Sequence, residues 1–212
     1  MTDIQILQKL LPTLKTHWDG KESILEMKDA EYNQWRQMEW WGFYFEFLCG
    51  KLLSGEFEIP GDKYNNTAFD LKRDINWDLK AHAIKSNSHM VIMNDVESMK
   101  QSIEKYGKHG EIIALCDVVY NDVNRTFQKW HSEIKGGKSA YELAREERTS
   151  ISRYRKTSAT LTEILLIEFT ADDLDGLSIM KQGRNSNGHP RPEKYMLDIE
   201  DLDGIRLEKI EF

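Results

Sequence analysis

The hydrophobic pattern centres on two short segments that alternate apolar and polar residues. The first covers residues 68–72 and the second covers residues 75–81, and the turn-forming pair Arg73-Asp74 separates them. Alternation with a period of two predicts β-strands, and a short polar break between two such segments predicts a β-hairpin. The pattern therefore places a hairpin near the centre of the fold.

Apolar residues recur every three or four positions elsewhere in the chain, which is typical of helices. The longest of these patterns begins near Tyr32 and ends at Ser54-Gly55, and Asn94-Asp95 is expected to cap the N-terminus of another helix. The predicted helices cover residues 3–14 with an interruption at Pro12, a short segment from Lys21, and residues 32–53, 95–106, 123–135 and 139–148.

Near-continuous apolar runs predict buried strands at residues 111–120 and 161–169, and a final acidic strand pair is expected at 195–199 and 205–210. This order of elements predicts a mixed α/β (α+β) fold in which helices flank a central mixed β-sheet. Because the chain shows no repeat and no linker, we expect a single domain over residues 1–212.

Composition describes a water-soluble globular chain. Charged residues make up 31% of the 212 residues, the mean hydropathy is −0.62, and no apolar run approaches the ~20 residues that span a bilayer. No export signal is visible, so we expect a cytoplasmic protein whose two cysteines, Cys49 and Cys116, are buried reduced thiols. The net charge of −7 argues against a nucleic-acid partner unless positive charge is concentrated locally.

The hairpin carries the candidate chemistry. A short turn would place Asp70 opposite Asp78 with Cβ atoms about 5 Å apart, and Lys80 on the same face as Asp78. Opposed carboxylates destabilise a sheet unless a cation lies between them, so this pattern predicts a metal site. Hard oxygen ligands suit Mg²⁺ or Mn²⁺, and the backbone carbonyl of Leu79 is a further candidate ligand. With Lys80 orienting or deprotonating a water, the group fits metal-assisted hydrolysis of a phosphodiester.

A third acid is expected from the long helix. Glu39 and Glu46 lie seven residues apart, share one helical face about 10.5 Å apart along the axis, and are surrounded by aromatic residues. Glutamates in so apolar a setting are rarely unpaired. Either they are rim residues of an amphipathic helix, or one of them, Glu46 by preference, completes the metal site. The histidines have no partner at a zinc-ligand spacing, so no zinc site is expected.

These acidic residues and the lysine resemble the active-site pattern of the PD-(D/E)XK nuclease superfamily. The matching residues are Glu46 on a helix, Asp70 at the start of a hairpin, and Asp78-Leu79-Lys80 on the next strand, and the resemblance covers residues 32–120. Phe69 stands where the pattern has proline. The segments 39–46 and 77–82 look most like a type II restriction endonuclease.

The resemblance implies a restriction-endonuclease-like core, a Mg²⁺ cofactor for which Mn²⁺ can substitute, and a specific, palindromic duplex DNA sequence as substrate. A homodimer is expected, because symmetric cutting of both strands needs two active sites. A cognate DNA methyltransferase is expected in the same restriction system without binding to the enzyme.

Candidate DNA contacts lie mainly within residues 140–195, the predicted DNA-contacting region. Arginine and lysine beside hydroxyls suit phosphates, whereas Arg, Asn and Gln can read base edges. Each candidate also has an explanation without DNA. The arginine cluster could be a solvated charged face, the segment 181–195 could be a surface loop, and His82 could be a neutral histidine in the core or the wall of a cleft. The candidates are Asn65, Asn66, His82, Lys85, Arg153, Arg155, Lys156, Gln182, Arg184, Asn185, Asn187, His189, Arg191 and Lys194.

Two other functions remain open. One is a structure-selective repair or recombination nuclease of the same fold. The other is a non-catalytic DNA-binding or antitoxin-like module in which the acids form structural ion pairs. The opposed acids of the hairpin argue against the second alternative, because a binding module has no need for them.

Overall fold

The structure is a computed structural model that describes residues 1–60, 69–85, 88–138, 143, 154–184 and 188–212. Five α-helices and nine strands lie in these residues. The helices are α1 (Asp3–Leu10), α2 (Gly20–Asp29), α3 (Trp40–Leu53), α4 (Val96–Tyr106) and α5 (Thr126–Ile134). The strands are β1 (His17–Asp19), β2 (Leu71–Lys72), β3 (Asn76–Ala83), β4 (Met90–Asp95), β5 (His109–Val119), β6 (Ser158–Phe169), β7 (Ser178–Met180), β8 (Lys194–Asp198) and β9 (Arg206–Glu211).

The main sheet has six strands and mixed directions. Its order is β1-β6-β5-β3-β2, and β9 also pairs with β6. Strands β3 and β5 are parallel, whereas the β2–β3, β5–β6 and β6–β9 pairs are antiparallel. A parallel pair needs a crossover connection, and α4 supplies it between β3 and β5. The mixed α/β class predicted from the sequence is confirmed.

Two apolar clusters cover the two faces of this sheet. The larger cluster packs α1, α2, α3 and α5 against one face, with Trp18, Tyr44, Phe45 and Trp77 fully buried. The smaller cluster packs α4 and a second, three-stranded sheet of order β4-β8-β7 against the other face. Strand β5 is therefore covered on both faces, which explains its near-continuous apolar sequence.

Helix α4 begins and ends at the signals visible in the sequence. Asp95 caps it by accepting a hydrogen bond from the Ser98 backbone N–H at 2.9 Å. Gly107 ends it in the left-handed conformation, with φ of +78°, which glycine adopts without a Cβ penalty. The predicted span of this helix is confirmed.

Several sequence predictions need correction. Helix α3 begins at Trp40 rather than at residue 32, because residues 33–36 form a 3₁₀ turn and Gln37 is extended. Strands β1 and β4 were not predicted. The final strands exist but do not pair, since β8 joins the small sheet and β9 joins the main sheet. The predicted helix at 139–148 lies outside the described residues, apart from Leu143.

Two further findings concern the cysteines and the lengths of the helices. Both cysteines are buried and neither is in a disulfide. Among the described residues, no helix is long and apolar enough to cross a membrane.

Candidate active site

A cavity of about 830 Å³ opens where α3 packs beside β2 and β3. Most of its polar lining consists of residues that the sequence singled out. They come from the N-terminal cap and middle of α3, from the hairpin, and from the start of β8: Glu39, Glu46, Asp70, Asp78, Leu79, Lys80 and Lys194. The fold thus brings the predicted acids and the lysine to one cavity.

The hairpin has the register expected from its alternation. Leu71 pairs with Trp77 and Lys72 with Asn76, which leaves residues 73–75 as the short loop; the ladder ends before Asp70, whose N–H donates to the Trp77 carbonyl at 2.9 Å. Asp70 is further fixed by its Oδ2 atom, which accepts a hydrogen bond from the Leu79 N–H at 2.7 Å. Strand β2 is only two residues long, however, and residues 61–68 before it lie outside the described part of the chain.

A buried acid on α1, which the sequence analysis did not single out, holds the hairpin turn in place. Asp3 accepts hydrogen bonds from the backbone N–H groups of Asp74 and Ile75, from Trp77 Nε1 at 2.9 Å, and from Arg73 Nη1 at 2.9 Å. Its side chain is 4% exposed. Asp3 therefore fixes the turn, and with it the strand that carries Asp78 and Lys80.

Asp78 is held by neighbours on its inner side. Asn94 Nδ2 donates a hydrogen bond to Asp78 Oδ2 at 2.5 Å, and His109 Nε2 lies 3.1 Å from the same oxygen. The other oxygen, Oδ1, lies 3.7 Å from Lys80 Nζ. Burial alone would raise the pKa of Asp78, but Lys80, His109 and Asn94 together lower it to about 2. Asp78 is thus ionised at neutral pH.

Lys80 is surrounded by acids. Its Nζ atom lies 3.7 Å from Asp78 Oδ1 and 3.9 Å from Glu111 Oε2, and its side chain is 22% exposed. Burial would lower the pKa of Lys80, but the charges of Asp78, Glu111, Asp70 and Glu46 raise it above its ordinary value. Lys80 therefore carries its proton, which suits it to hold a water and to stabilise negative charge rather than to act as a base.

Asp70 and Glu46 lack enough positive charge around them. Burial is the main cause that raises the pKa of Asp70 well above its usual value, and the nearby Asp78 and Glu46 carboxylates add to it despite Lys80. Burial and Asp78 likewise raise the pKa of Glu46. Carboxyl groups that resist ionisation beside an ionised aspartate form a site that a cation would stabilise.

Glu39 takes a different position from Glu46. Its Oε2 atom accepts hydrogen bonds from Lys156 Nζ at 2.5 Å and Trp41 Nε1 at 3.0 Å. Burial would raise its pKa, but Lys156 and Trp41 lower it. Glu39 is thus already neutralised at the rim, whereas Glu46 lies within the electrostatic field of Asp78 and Lys80. The geometry favours Glu46 as the helix acid of the site.

Sequence reasoning missed two charged residues on β5. Pairing of Asp78 with Glu111 in the parallel β3–β5 ladder brings Glu111 beside the site, and His109 lies two residues earlier on the same face. Both side chains are 0% exposed. The available signal was a histidine and a glutamate at the start of an apolar strand, since charged residues are rarely buried unless paired. Spacing along the chain could not show their proximity to Asp78.

The candidate DNA contacts near the cavity differ in burial and in whether they already form ion pairs within the protein. Lys194 lines the cavity, and Lys156 lies at its rim, paired with Glu39 and within 4.9 Å of the Trp41 ring centroid. Lys85 forms an ion pair with Asp117 at 2.7 Å. His82 is half-buried, and burial lowers its pKa.

The remaining DNA candidates fall in three groups. Arg155 is 5% exposed, so it does not present its guanidinium as a surface contact. Gln182, Arg184, His189 and Arg191 belong to the loop between β7 and β8, in which Arg184 Nη1 donates to the Gly188 carbonyl. Met180, which precedes the loop, pairs with Lys194, which follows it and lines the cavity, so both ends of the loop lie near the cavity. Asn65, Asn66, Arg153, Asn185 and Asn187 lie outside the described residues.

Comparisons with protein-family models, with curated proteins and with solved structures gave no match. Functional inference therefore depends on the chemistry of the cavity.

Proposed function

We propose that this chain is a Mg²⁺-dependent deoxyribonuclease that hydrolyses phosphodiester bonds, with Glu46, Asp70, Asp78 and Lys80 as its site. The observation that supports it best is the joint placement of three carboxylates and one protonated lysine around a single cavity. The raised pKa values of Asp70 and Glu46 indicate that this cavity lacks a cationic partner. An oxygen-only donor set suits Mg²⁺, with Mn²⁺ as a substitute.

Each residue has a role in this proposal. Asp70 and Asp78 would hold Mg²⁺ together with the Leu79 carbonyl, and Glu46 would complete the set. When bound, the cation would supply Lewis-acid activation of a water and neutralise charge on the scissile phosphate. Lys80, which keeps its proton, orients the attacking water and stabilises the negative charge that develops on the phosphoryl oxygens.

The substrate class in this proposal is duplex DNA cut at a specific sequence, as in a type II restriction endonuclease. The Arg-, Asn- and His-containing loop between β7 and β8 starts and ends beside the cavity and would supply base contacts. In this proposal the enzyme is a cytoplasmic homodimer, and a separate DNA methyltransferase of the same system protects the host DNA.

The test is cleavage of a plasmid of known sequence with Mg²⁺. We expect Lys80→Ala to lower the cleavage rate at least about 100-fold, because one charge-stabilising donor contributes on that scale. Asp78→Asn is expected to abolish cleavage. His89→Gln, an exposed change away from the cavity, is the control. Wild-type-like cleavage by either site variant would refute the proposal.

The same digest distinguishes between nucleases. Discrete fragments from linear duplex DNA would support sequence-specific cutting. Cutting confined to junctions, flaps or ends would instead identify a structure-selective repair or recombination nuclease. DNA binding without cleavage and without Mg²⁺ binding would identify the non-catalytic alternative.

A further inference from the structure

A second group of buried ligand atoms lies behind the cavity, between β3 and β5. It comprises Asp78, His109 and Glu111, whose carboxylate oxygens and imidazole nitrogen lie within 4.8 Å of one another. Glu111 is the direct neighbour of Asp78 in the parallel ladder, and His109 faces the same side. All three side chains are at most 8% exposed.

The imidazole and the two carboxylates lie at ion-pair distance, but three of their atoms form no hydrogen bond to any described residue. His109 Nε2 lies 3.1 Å from Asp78 Oδ2 and 3.7 Å from Glu111 Oε1. Neither Nε2 nor either Glu111 oxygen has a hydrogen-bond partner within the described part of the chain. Fully buried carboxylate oxygens without hydrogen bonds are strongly unfavourable, so this group calls for a missing partner.

The spacing fits a cation as that partner. Nitrogen and oxygen ligands about 2.0–2.2 Å from a metal ion lie roughly 3 Å apart when adjacent and about 4 Å apart when opposite. The separations of 3.1 and 3.7 Å between His109 Nε2 and the two carboxylates fall in that range. Lys80 Nζ, at 3.9 Å from Glu111 Oε2, is too distant to replace the ion by a hydrogen bond.

The ligands are also oriented from behind. His109 Nδ1 lies 3.2 Å from Ser102 Oγ on α4, which fixes the ring and turns Nε2 towards the carboxylates. Asn94 holds Asp78 through a hydrogen bond to Oδ2. Outer hydrogen bonds of this kind set the tautomer and direction of metal-binding histidines and carboxylates.

We infer that Asp78, His109 and Glu111 form a second divalent-cation site that binds Mn²⁺ or another first-row transition metal in preference to Mg²⁺. The imidazole decides the preference, since nitrogen ligands suit transition metals and Mg²⁺ favours an all-oxygen set. The site shares only Asp78 with the proposed nuclease centre and does not depend on DNA cleavage. An ion there ties β3 to β5 and engages Glu111, which otherwise competes with Asp78 for Lys80.

The experiment is Mn²⁺ binding to the full chain without DNA, measured by electron paramagnetic resonance. Asp70→Asn is used to weaken the cavity site, so that Mn²⁺ bound to this variant reports on the inner site. Pulsed spectra should then show a nitrogen coupling from imidazole. His109→Gln in the same background should remove both the coupling and the bound Mn²⁺, and His89→Gln should keep both.

Competition and a second variant complete the test. A 100-fold excess of Mg²⁺ should leave the nitrogen-coupled Mn²⁺ in place. If His109→Gln does not fold, Glu111→Gln, which keeps the histidine, should weaken Mn²⁺ binding at least 10-fold. Absence of any nitrogen coupling in the Asp70→Asn protein would overturn the inference and leave the group as an ion-pair network. Because no step uses DNA, this outcome is independent of the cleavage test.

Discussion

At the scale of single residues, the site is defined by how differently its three aspartate and glutamate side chains ionise. Asp78, next to Lys80, His109 and Asn94, has a pKa of about 2, whereas burial raises the pKa of Asp70 and Glu46. One carboxylate is thus charged in the metal-free protein, and the others resist becoming charged. This difference makes the cavity electrostatically incomplete without a cation.

This imbalance predicts that removing one acid stabilises the metal-free protein. A carboxyl group whose pKa is raised by folding gives its full stability below its unfolded pKa and loses it as pH rises through its folded pKa. Asp70→Asn removes that loss, and at pH 8 we expect it to raise the free energy of unfolding by at least about 1 kcal/mol, since one pKa unit corresponds to about 1.4 kcal/mol.

Urea unfolding in chelator at pH 4 and pH 8 measures the effect, which should be larger at pH 8. The exposed change Asp203→Asn is the matched control and should have little effect at either pH. An Asp70→Asn protein that is less stable than the wild type at pH 8 would contradict the electrostatic account.

How well each residue could be predicted depended on what kind of contact positions it. Asp70, Asp78 and Lys80 follow from local alternation, because a hairpin register is set within about ten residues of sequence. His109, Glu111 and Asn94 reach Asp78 through a parallel pairing and a separate strand, and the sequence contains no local rule for such contacts. Their roles required the structure.

At the scale of elements, the hairpin depends on α1. The four hydrogen bonds to Asp3 come from the turn and from Trp77, whose Nε1 is buried in the contact. Gly110 lets the Trp77 ring pack against β5, since a Cβ at that position would lie 2.2 Å from the ring. Trp77 on β3 is therefore fixed by its hydrogen bond to Asp3 on α1 and by the packing of its ring against β5 at Gly110.

Asp3→Ala is accordingly expected to destabilise the protein by about 3 kcal/mol, because it leaves buried N–H donors at Ile75 and Trp77 without an acceptor. Thermal unfolding followed by circular dichroism measures the change. Asp3→Asn, which keeps an acceptor oxygen, should cost less. Equal stability of Asp3→Ala and the wild type would show that the turn does not depend on this clamp.

Element prediction worked best where one segment contains its own signals. The cap at Asp95, the end at Gly107 and the apolar run of β5 all lie within their elements. Strand β4 was not predicted because its pairing partner, β8, is distant in sequence and its alternation is short. The last two strands were paired wrongly because adjacency in sequence does not determine which sheet each strand joins.

At the scale of the whole molecule, the negative net charge opposes the binding of DNA at the proposed site. The chain has a net charge of −7, and the buried acids of its proposed site are part of that total. DNA phosphates would be repelled by this surface unless cations intervene.

We therefore expect DNA affinity to depend on divalent ions. In chelator the wild-type protein should bind a duplex oligonucleotide at least about 10-fold more weakly than with Mg²⁺, a difference of about 1.4 kcal/mol. Fluorescence anisotropy with the cleavage-deficient Lys80→Ala variant measures binding without cutting. Asp70→Asn should reduce the Mg²⁺ effect, and an equal affinity with and without Mg²⁺ in Lys80→Ala would contradict the charge argument.

The position of β5 has a consequence for the timing of folding during synthesis. This strand pairs with β3 on one edge and with β6 on the other, and it contributes His109 and Glu111. Its contacts are long-range: the pairing with β3 needs residues as far as Cys116, and the pairing with β6 needs residues as far as Phe169. Until β5 has been released, Asp3 can hold the hairpin turn, but Asp78 lacks the neighbouring strand that carries His109 and Glu111. A nascent chain therefore cannot assemble the buried group of Asp78, His109 and Glu111 before β5 has been synthesised.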